Sequence, residues 1–210
     1  SLGGGAALPL RRATVASKLC ARRRSRPRAG ELGPRGGDAA GGAMASGFIP
    51  PINYGMVEED LHRSGQPNEM NLRFIERLGL NKVIYLSPDD PDLVFLHFLE
   101  DNGVELVHLG ANESMRSPWS PISEETVLEA LRIILDESNY PLHVMDHQGS
   151  HRTGTVLGCL RKAQRWSLTS IFDEYRRYAG SRVRLANEQF IELFDTDLVD
   201  VPPNPPKWFR

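Results

Sequence analysis

The chain has 210 residues, 40% hydrophobic and 25% charged, with a formal net charge of −2, which suits one globular domain with a tail. The charge is divided: residues 1–43 hold nine Arg or Lys against Glu31 and Asp38, a surplus of +7, while 16 basic and 25 acidic residues from Met44 onward leave −9. An acidic domain argues against a nucleic-acid or membrane partner, because Lys and Arg supply most of the affinity for phosphate backbones, and no apolar run approaches the ~18 residues of a membrane span.

Two cysteines, Cys20 and Cys159, exclude a disulfide framework and suit a reducing compartment. A cytoplasmic protein is expected. Residues 1–43 are rich in Ala, Gly and Arg and are expected to be disordered and outside the fold. They read either as an organelle transit peptide, which would change the location, or as translated leader; Met44, opening MASGFIPP, favours the leader. The domain is expected over residues 44–201, with residues 202–210 as a Pro-rich tail.

From Phe48 the pattern turns globular. FIPPINYGMVEEDLHRSGQP reads as a lead-in loop followed by short strands, with Arg63 to Pro67 as a turn. Residues 70–79 put Leu72, Phe74, Ile75 and Leu78 near one helix face, and Gly79 ends it. Lys82 to Leu86, KVIYL, is a short run of β-formers and so a buried strand. The acidic loop Ser87 to Asp92 follows. Residues 93–102 form another helix stopped at Gly103, and Val104 to Leu109 is the next strand.

Residues 110–121, GANESMRSPWSP, form a polar loop. Ser123 then caps a helix running to about Glu137, with Glu124 and Glu125 in the first turn, where the helix dipole favours acids. Its buried stripe is Val127, Leu128, Leu131, Ile134 and Leu135. After a strand beginning at Pro141 come helices over 153–163, 167–179 and 181–194. VPPNPPKWFR cannot be helix or central strand. Strands alternating with helices predict an α/β fold: a parallel sheet flanked by helices, with ligands outside the carboxyl ends of the strands.

The stretch PLHVMDHQGSHRTG, residues 141–154, falls at such an end. Strand, tight loop and helix N-terminus in that order make an anion site, since loop N–H groups converge and the helix dipole adds about half a positive charge. Arg152 supplies a planar fork for two phosphate oxygens. The phosphate-binding loop is accordingly assigned to His147, Gln148, Gly149, Ser150, His151, Arg152 and Thr153. Cysteine-dependent phosphatases place a nucleophilic Cys six residues before the Arg; here that residue is Asp146. Metal-ligand spacing is missing, because His143, His147 and His151 lie across a strand and a loop without Cys or carboxylate company. No metal and no cofactor is expected.

The segments FIPPINYGMV, LHRSGQP, LGLNKVIYLSPDDP, HRTGTVLGCLRKAQRWSLTSIFDEYRRYAG and RLANEQFIELFDTDLV resemble the plant-and-fungal atypical dual-specificity phosphatases, from Phe48 to about Val201. The last two, with WSPISEE, are most similar to the fungal branch named for oxidant-induced cell-cycle arrest. The resemblance implies a cysteine-phosphatase fold and, from some members, hydrolysis of inositol pyrophosphates or phosphotyrosine. It also marks departures. Met145 and Asp146 stand where the family carries His-Cys, and His147, Gln148 and Ser150 where members often carry Lys or Arg. Gly149, His151, Arg152, Thr153 and Gly154 match.

An Asp at the loop base would accept the loop N–H groups and occupy the capacity meant for phosphate. Two unit charges ~4 Å apart repel by about 4 kcal/mol at an effective dielectric near 20, or roughly three decades of affinity. A self-filled pocket and a pseudophosphatase are expected, taking a phosphorylated small molecule or phosphoprotein only weakly and working through protein partners, homologues among them. The rival is an active phosphatase using Asp146 as phosphoryl acceptor. Its general acid would be Glu113, the one carboxylate of loop 110–121. Arg116 and Trp119 would flank the entrance, with Trp119 serving packing. Asp89, Asp90 and Asp92 read as a solvated turn, Arg63 and His62 as pocket lining or surface turn, and Cys159 as core.

Overall fold

The computed structural model describes residues 48–113, 117 and 119–209; the expectations for residues 1–43 and for Arg116 lie outside them. Five strands form one sheet: β1 (Gly55–Glu58), β2 (Leu61–Gly65), β3 (Lys82–Tyr85), β4 (Glu105–His108) and β5 (Leu142–Asp146). They run in the order β1-β2-β5-β3-β4. The pairs β2–β5, β5–β3 and β3–β4 are parallel, and β1 joins β2 antiparallel. The expected parallel sheet therefore carries one antiparallel edge, since two residues between β1 and β2 permit only a reversal.

Alternation along the central strands explains why both faces are covered. Ile84, Leu142 and Val144 join one apolar cluster, whereas Val83, Tyr85 and Met145 join the other. Helices α1 (Leu72–Arg77) and α2 (Leu93–Asp101) supply Ile75, Phe95 and Leu99 to the second cluster. The first is filled by α3 (Glu124–Ile134), α4 (His151–Ala163), α5 (Leu168–Ala179) and α6 (Leu185–Leu193). Ser123 caps α3 by accepting from the Thr126 amide at 3.3 Å. Cys159 is wholly buried in this core, and burial pushes its thiol pKa up.

Several boundaries differ from the sequence reading. Arg63 to Gly65 is strand rather than turn, because each residue pairs with β5, Gly65 opposite Asp146. Helix α4 begins at His151, two residues early. The last helix starts at Leu185, since Gly180 at φ 59° ends α5 and a short 3-10 turn intervenes. The Pro-rich C-terminal stretch lies against the first cluster, with Trp208 and Phe209 partly buried and the Trp208 ring 6.3 Å from that of Tyr140.

Candidate active site

The central strand β5 ends at Asp146, and α4 begins at His151 after only four intervening residues. Gly149 makes so short a connection feasible. Its φ is 67°, a region that suits glycine, and a Cβ there would overlap Gly65 N and Ser64 C of β2. The loop thus lies directly on the end of the neighbouring strand.

Its amides converge on Asp146. Oδ1 accepts from the amides of Gln148 at 2.8 Å, Gly149, and Ser150 at 3.3 Å. Oδ2 accepts from those of Arg152 at 2.8 Å and Thr153 at 3.1 Å. Five backbone donors therefore bond one buried carboxylate, and two belong to the first turn of α4, where the dipole adds to the attraction. The Thr153 hydroxyl, also buried, has no hydrogen-bond partner among the described residues.

The Arg152 guanidinium extends to the other side of the loop. Nη1 lies 3.4 Å from the Leu86 carbonyl and 3.9 Å from Glu113 Oε2. Glu113 is only 2% exposed. Its Oε1 accepts from the Ser123 amide at 3.2 Å, from the Ser123 hydroxyl, and from the Thr126 hydroxyl at 2.8 Å. The carboxylate considered as a general acid is thus fastened to the N-terminus of α3 and turned toward Arg152.

Support from below comes from β2. Arg63 is 1% exposed, and its Nη2 donates to the Gly149 carbonyl at 2.8 Å. Its guanidinium carbon sits 3.5 Å from the centre of the Tyr178 ring. Burial lowers its pKa to about 10, opposed by Tyr178, Glu174 and Asp146, which leaves a cation at neutral pH. Next to it Ser64 Oγ donates to the Gly65 carbonyl at 2.7 Å and lies 2.8 Å from His143 Nε2. With the hydroxyl proton so placed, His143 Nε2–H is the donor. Burial, with His62 adding, pushes the His143 pKa down to about 3.

Ser87, two residues beyond β3, accepts the His147 amide on its hydroxyl at 2.7 Å. A cleft of about 320 Å³ opens there, lined by Gln66, Tyr85, Ser87, Asp89, Asp90, Asp92 and His147 among others. The acidic turn thus borders the loop as well as solvent. Trp119 does not pack inside; it is 75% exposed, with the Arg184 guanidinium 5.1 Å from its ring centre.

Of the seven residues assigned to the loop, Gln148, Gly149, Ser150, Arg152 and Thr153 bond Asp146 through their amides, whereas the His147 amide bonds Ser87 and the His151 ring meets Tyr175; His147 is exposed and Gly149, Ser150 and Thr153 are buried. No group of three or more His, Cys, Asp or Glu among the described residues is placed to hold a metal ion. Sequence reasoning underrated Arg63 and passed over Ser87. A signal was available for each: an Arg inside a segment that must pair, and a hydroxyl immediately after a strand at the ligand-binding edge.

A mostly parallel sheet with an amide cradle between its central strand and a helix, and an Arg opening that helix, defines a phosphatase-like α/β protein of the cysteine-phosphatase fold. The chain belongs to the tyrosine phosphatase family, which it matches over residues 48–209. It is 63% identical over 160 residues to the "Probable tyrosine-protein phosphatase DG1060" of Dictyostelium discoideum, covering 76% of this chain and 95% of that protein. It is 40% identical over 148 residues to the inositol diphosphatase DSP4 of Arabidopsis thaliana, covering 70% and 74%. Among solved structures, the catalytic core of the PP-IP phosphatase SIW14 of S. cerevisiae aligns with a TM-score of 0.67 and 39% identity, over 72% of this chain and 90% of that one. No helix among the described residues is long and apolar enough to cross a membrane.

Proposed function

We propose that this protein is a pseudophosphatase, a phosphatase-family domain whose phosphate cradle is filled by its own Asp146 and which acts through protein partners. The observation that carries the reading is the set of five backbone amides on the Asp146 carboxylate. A phosphate placed in the same cradle would lose those donors and face a fixed negative charge. A thiolate at this position is a nucleophile that also leaves well. A carboxylate with both oxygens tied to amides is a poor nucleophile by comparison. The acidic turn at Asp89, Asp90 and Asp92 adds further repulsion toward anions. Homologues of the same family are the natural partners to test first, and a cytoplasmic location accords with the cysteine usage.

The competing reading is an active phosphatase on inositol pyrophosphates, phosphotyrosine or another phosphoester. The names of the inositol diphosphatase and PP-IP phosphatase relatives favour it. In that route an Asp146 oxygen would attack phosphorus, the leaving oxygen would depart with a proton, and water would hydrolyse the acyl phosphate. Glu113 would have to act as acid, yet it is buried against α3.

Phosphate release by the 210-residue chain separates the two, assayed on an inositol pyrophosphate and an aryl phosphate beside Asp146→Cys and Asp146→Cys/Arg152→Ala. The expected result is a silent parent chain, an active Asp146→Cys variant, and loss of that activity by roughly a hundredfold or more without the Arg152 fork. Turnover by the parent chain that disappears in Arg152→Ala would defeat the pseudophosphatase reading.

A further inference from the structure

The cradle has a back as well as a front. Where a peptide unit of the loop turns its N–H toward Asp146, its carbonyl needs a donor of its own, and a unit bonded at both ends is the more strongly polarised. Three successive units are bonded in this way. The His147 carbonyl accepts from the Gln66 amide at 3.2 Å, the Gln148 carbonyl from Asn53 Nδ2 at 2.9 Å, and the Gly149 carbonyl from Arg63 Nη2 at 2.8 Å. The N–H groups of the same three units are those of Gln148, Gly149 and Ser150, the donors to Asp146 Oδ1.

Of the back donors, Asn53 has the uncommon conformation. Its φ is 55°, a region that Asn enters more readily than most residues, in a turn where the Tyr54 amide donates to the Pro51 carbonyl at 3.2 Å. The turn is fastened to the end of β2, since the Gly65 amide donates to the Ile52 carbonyl at 2.7 Å. Asn53 Nδ2 also donates to the Tyr178 carbonyl at 3.3 Å, in the last turn of α5, where helix carbonyls lack intrahelical partners. Both neighbours are carbonyls, so the nitrogen of the Asn53 amide faces them, not the oxygen. Tyr178 also carries the Arg63 guanidinium over its ring, and both side-chain donors therefore meet one residue of α5.

We infer that Asn53 is a positioning residue of the cradle: it holds the Gln148 carbonyl from behind, against the end of α5, and so aims the Gly149 amide at the carboxylate. The inference rests on the reading that Asp146 fills the cradle, and adds what fixes the cradle's shape. Asn53 acts through the peptide unit. An oxygen in place of Nδ2 would face two carbonyls, turn that unit, and draw the Gly149 amide off Asp146.

Amide hydrogen exchange of the full chain, beside Asn53→Asp and Asn53→Gly, tests the role. Both replacements accept a positive φ, glycine most readily, and both remove the donor, so backbone strain is not what they report. Exchange at Gly149 should quicken at least tenfold in Asn53→Asp and severalfold in Asn53→Gly, and the Gly149 amide proton should move upfield in both. Arg152, whose peptide unit has its carbonyl bonded by the Thr155 hydroxyl, should keep its rate, as should β3. Parent-like exchange at Gly149 in the two variants would overturn the inference. So would an equal rise at Gly149, Arg152 and β3, the pattern of a residue that only stabilises the fold. Turnover of a phosphate ester by the parent chain would defeat the pseudophosphatase reading while leaving the exchange result standing, so the two failures are distinguishable.

Discussion

Arg152 meets Asp146 through its backbone: the amide lies 2.8 Å from Oδ2, while Nη1 of the same residue reaches the Leu86 carbonyl and Glu113. The amide and the guanidinium of this residue, which would serve one bound phosphate together, are directed to different groups here, the amide to Asp146 and the guanidinium to the Leu86 carbonyl and Glu113. The five amides of the cradle are consequently satisfied by the protein itself.

That arrangement predicts a reversed response to anions. Asp146→Ala removes the acceptor of five buried or half-buried amides and should cost on the order of 1–3 kcal/mol, the penalty of donors left unsatisfied. Added phosphate or sulfate should restore part of the loss, because a ligand that binds only the folded state stabilises it by mass action. The parent chain should gain only the general stabilisation that these salts give a folded protein, and the variant should gain more. Thermal melts of both proteins across a phosphate series, beside a chloride series of equal ionic strength, check this; a gain by the parent equal to the variant's would count against a cradle filled by Asp146.

Arg63→Met should destabilise the fold by about 3 kcal/mol. The substitution leaves the Gly149 carbonyl without its 2.8 Å donor and the Tyr178 ring without its cation, and broken buried charge networks cost about this much. Arg63→Lys should recover part of it. Urea unfolding of the three proteins gives the comparison; equal midpoints would mean that Arg63 does not brace the loop.

Gly149→Ala combines a strained φ with a steric overlap. A non-glycine residue at φ 67° costs on the order of 1 kcal/mol or more, and its Cβ meets the backbone of Ser64 and Gly65 rather than a movable side chain. The loop must shift, so the amides leave Asp146. Hydrogen exchange at Gln148 to Thr153 should rise strongly, with a smaller rise in α4 beyond Val156. Unchanged protection would count against the close packing of loop on strand.

Acid should destabilise the protein through His143. Its folded-state pKa is lowered to about 3, below the ~6.5 of an unfolded histidine, so the unfolded state binds the proton first. The stability contributed by the neutral, buried imidazole is fully present above about pH 6.5 and is lost as pH falls toward 3. His143→Gln, which retains a donor toward Ser64, should flatten this part of the stability profile even if it lowers the plateau. A parallel slope in parent and variant would assign the acid loss to other groups.

The sequence by itself determined the α/β class, the order of strands and helices, and the place of the loop. Those are local properties: β-branched runs, helical periodicity, the Ser123 cap and the glycines at 79 and 103 act within a few residues. It also singled out Asp146, because a charge at the base of an anion loop is legible from spacing alone. Only the tertiary structure decided how that charge is satisfied and what surrounds it. Arg63 read as turn or lining because nothing adjacent in sequence shows that β2 pairs with β5, with Arg63 opposite Val144. Glu113 read as a candidate acid because its partners, Ser123, Thr126 and Arg152, come together only when α3 and α4 pack on the same face. The acidic turn at Asp89, Asp90 and Asp92 likewise borders the phosphate loop because β3 lies beside β5 in the sheet. Loops distant in sequence become one mouth only once the sheet has set their neighbours.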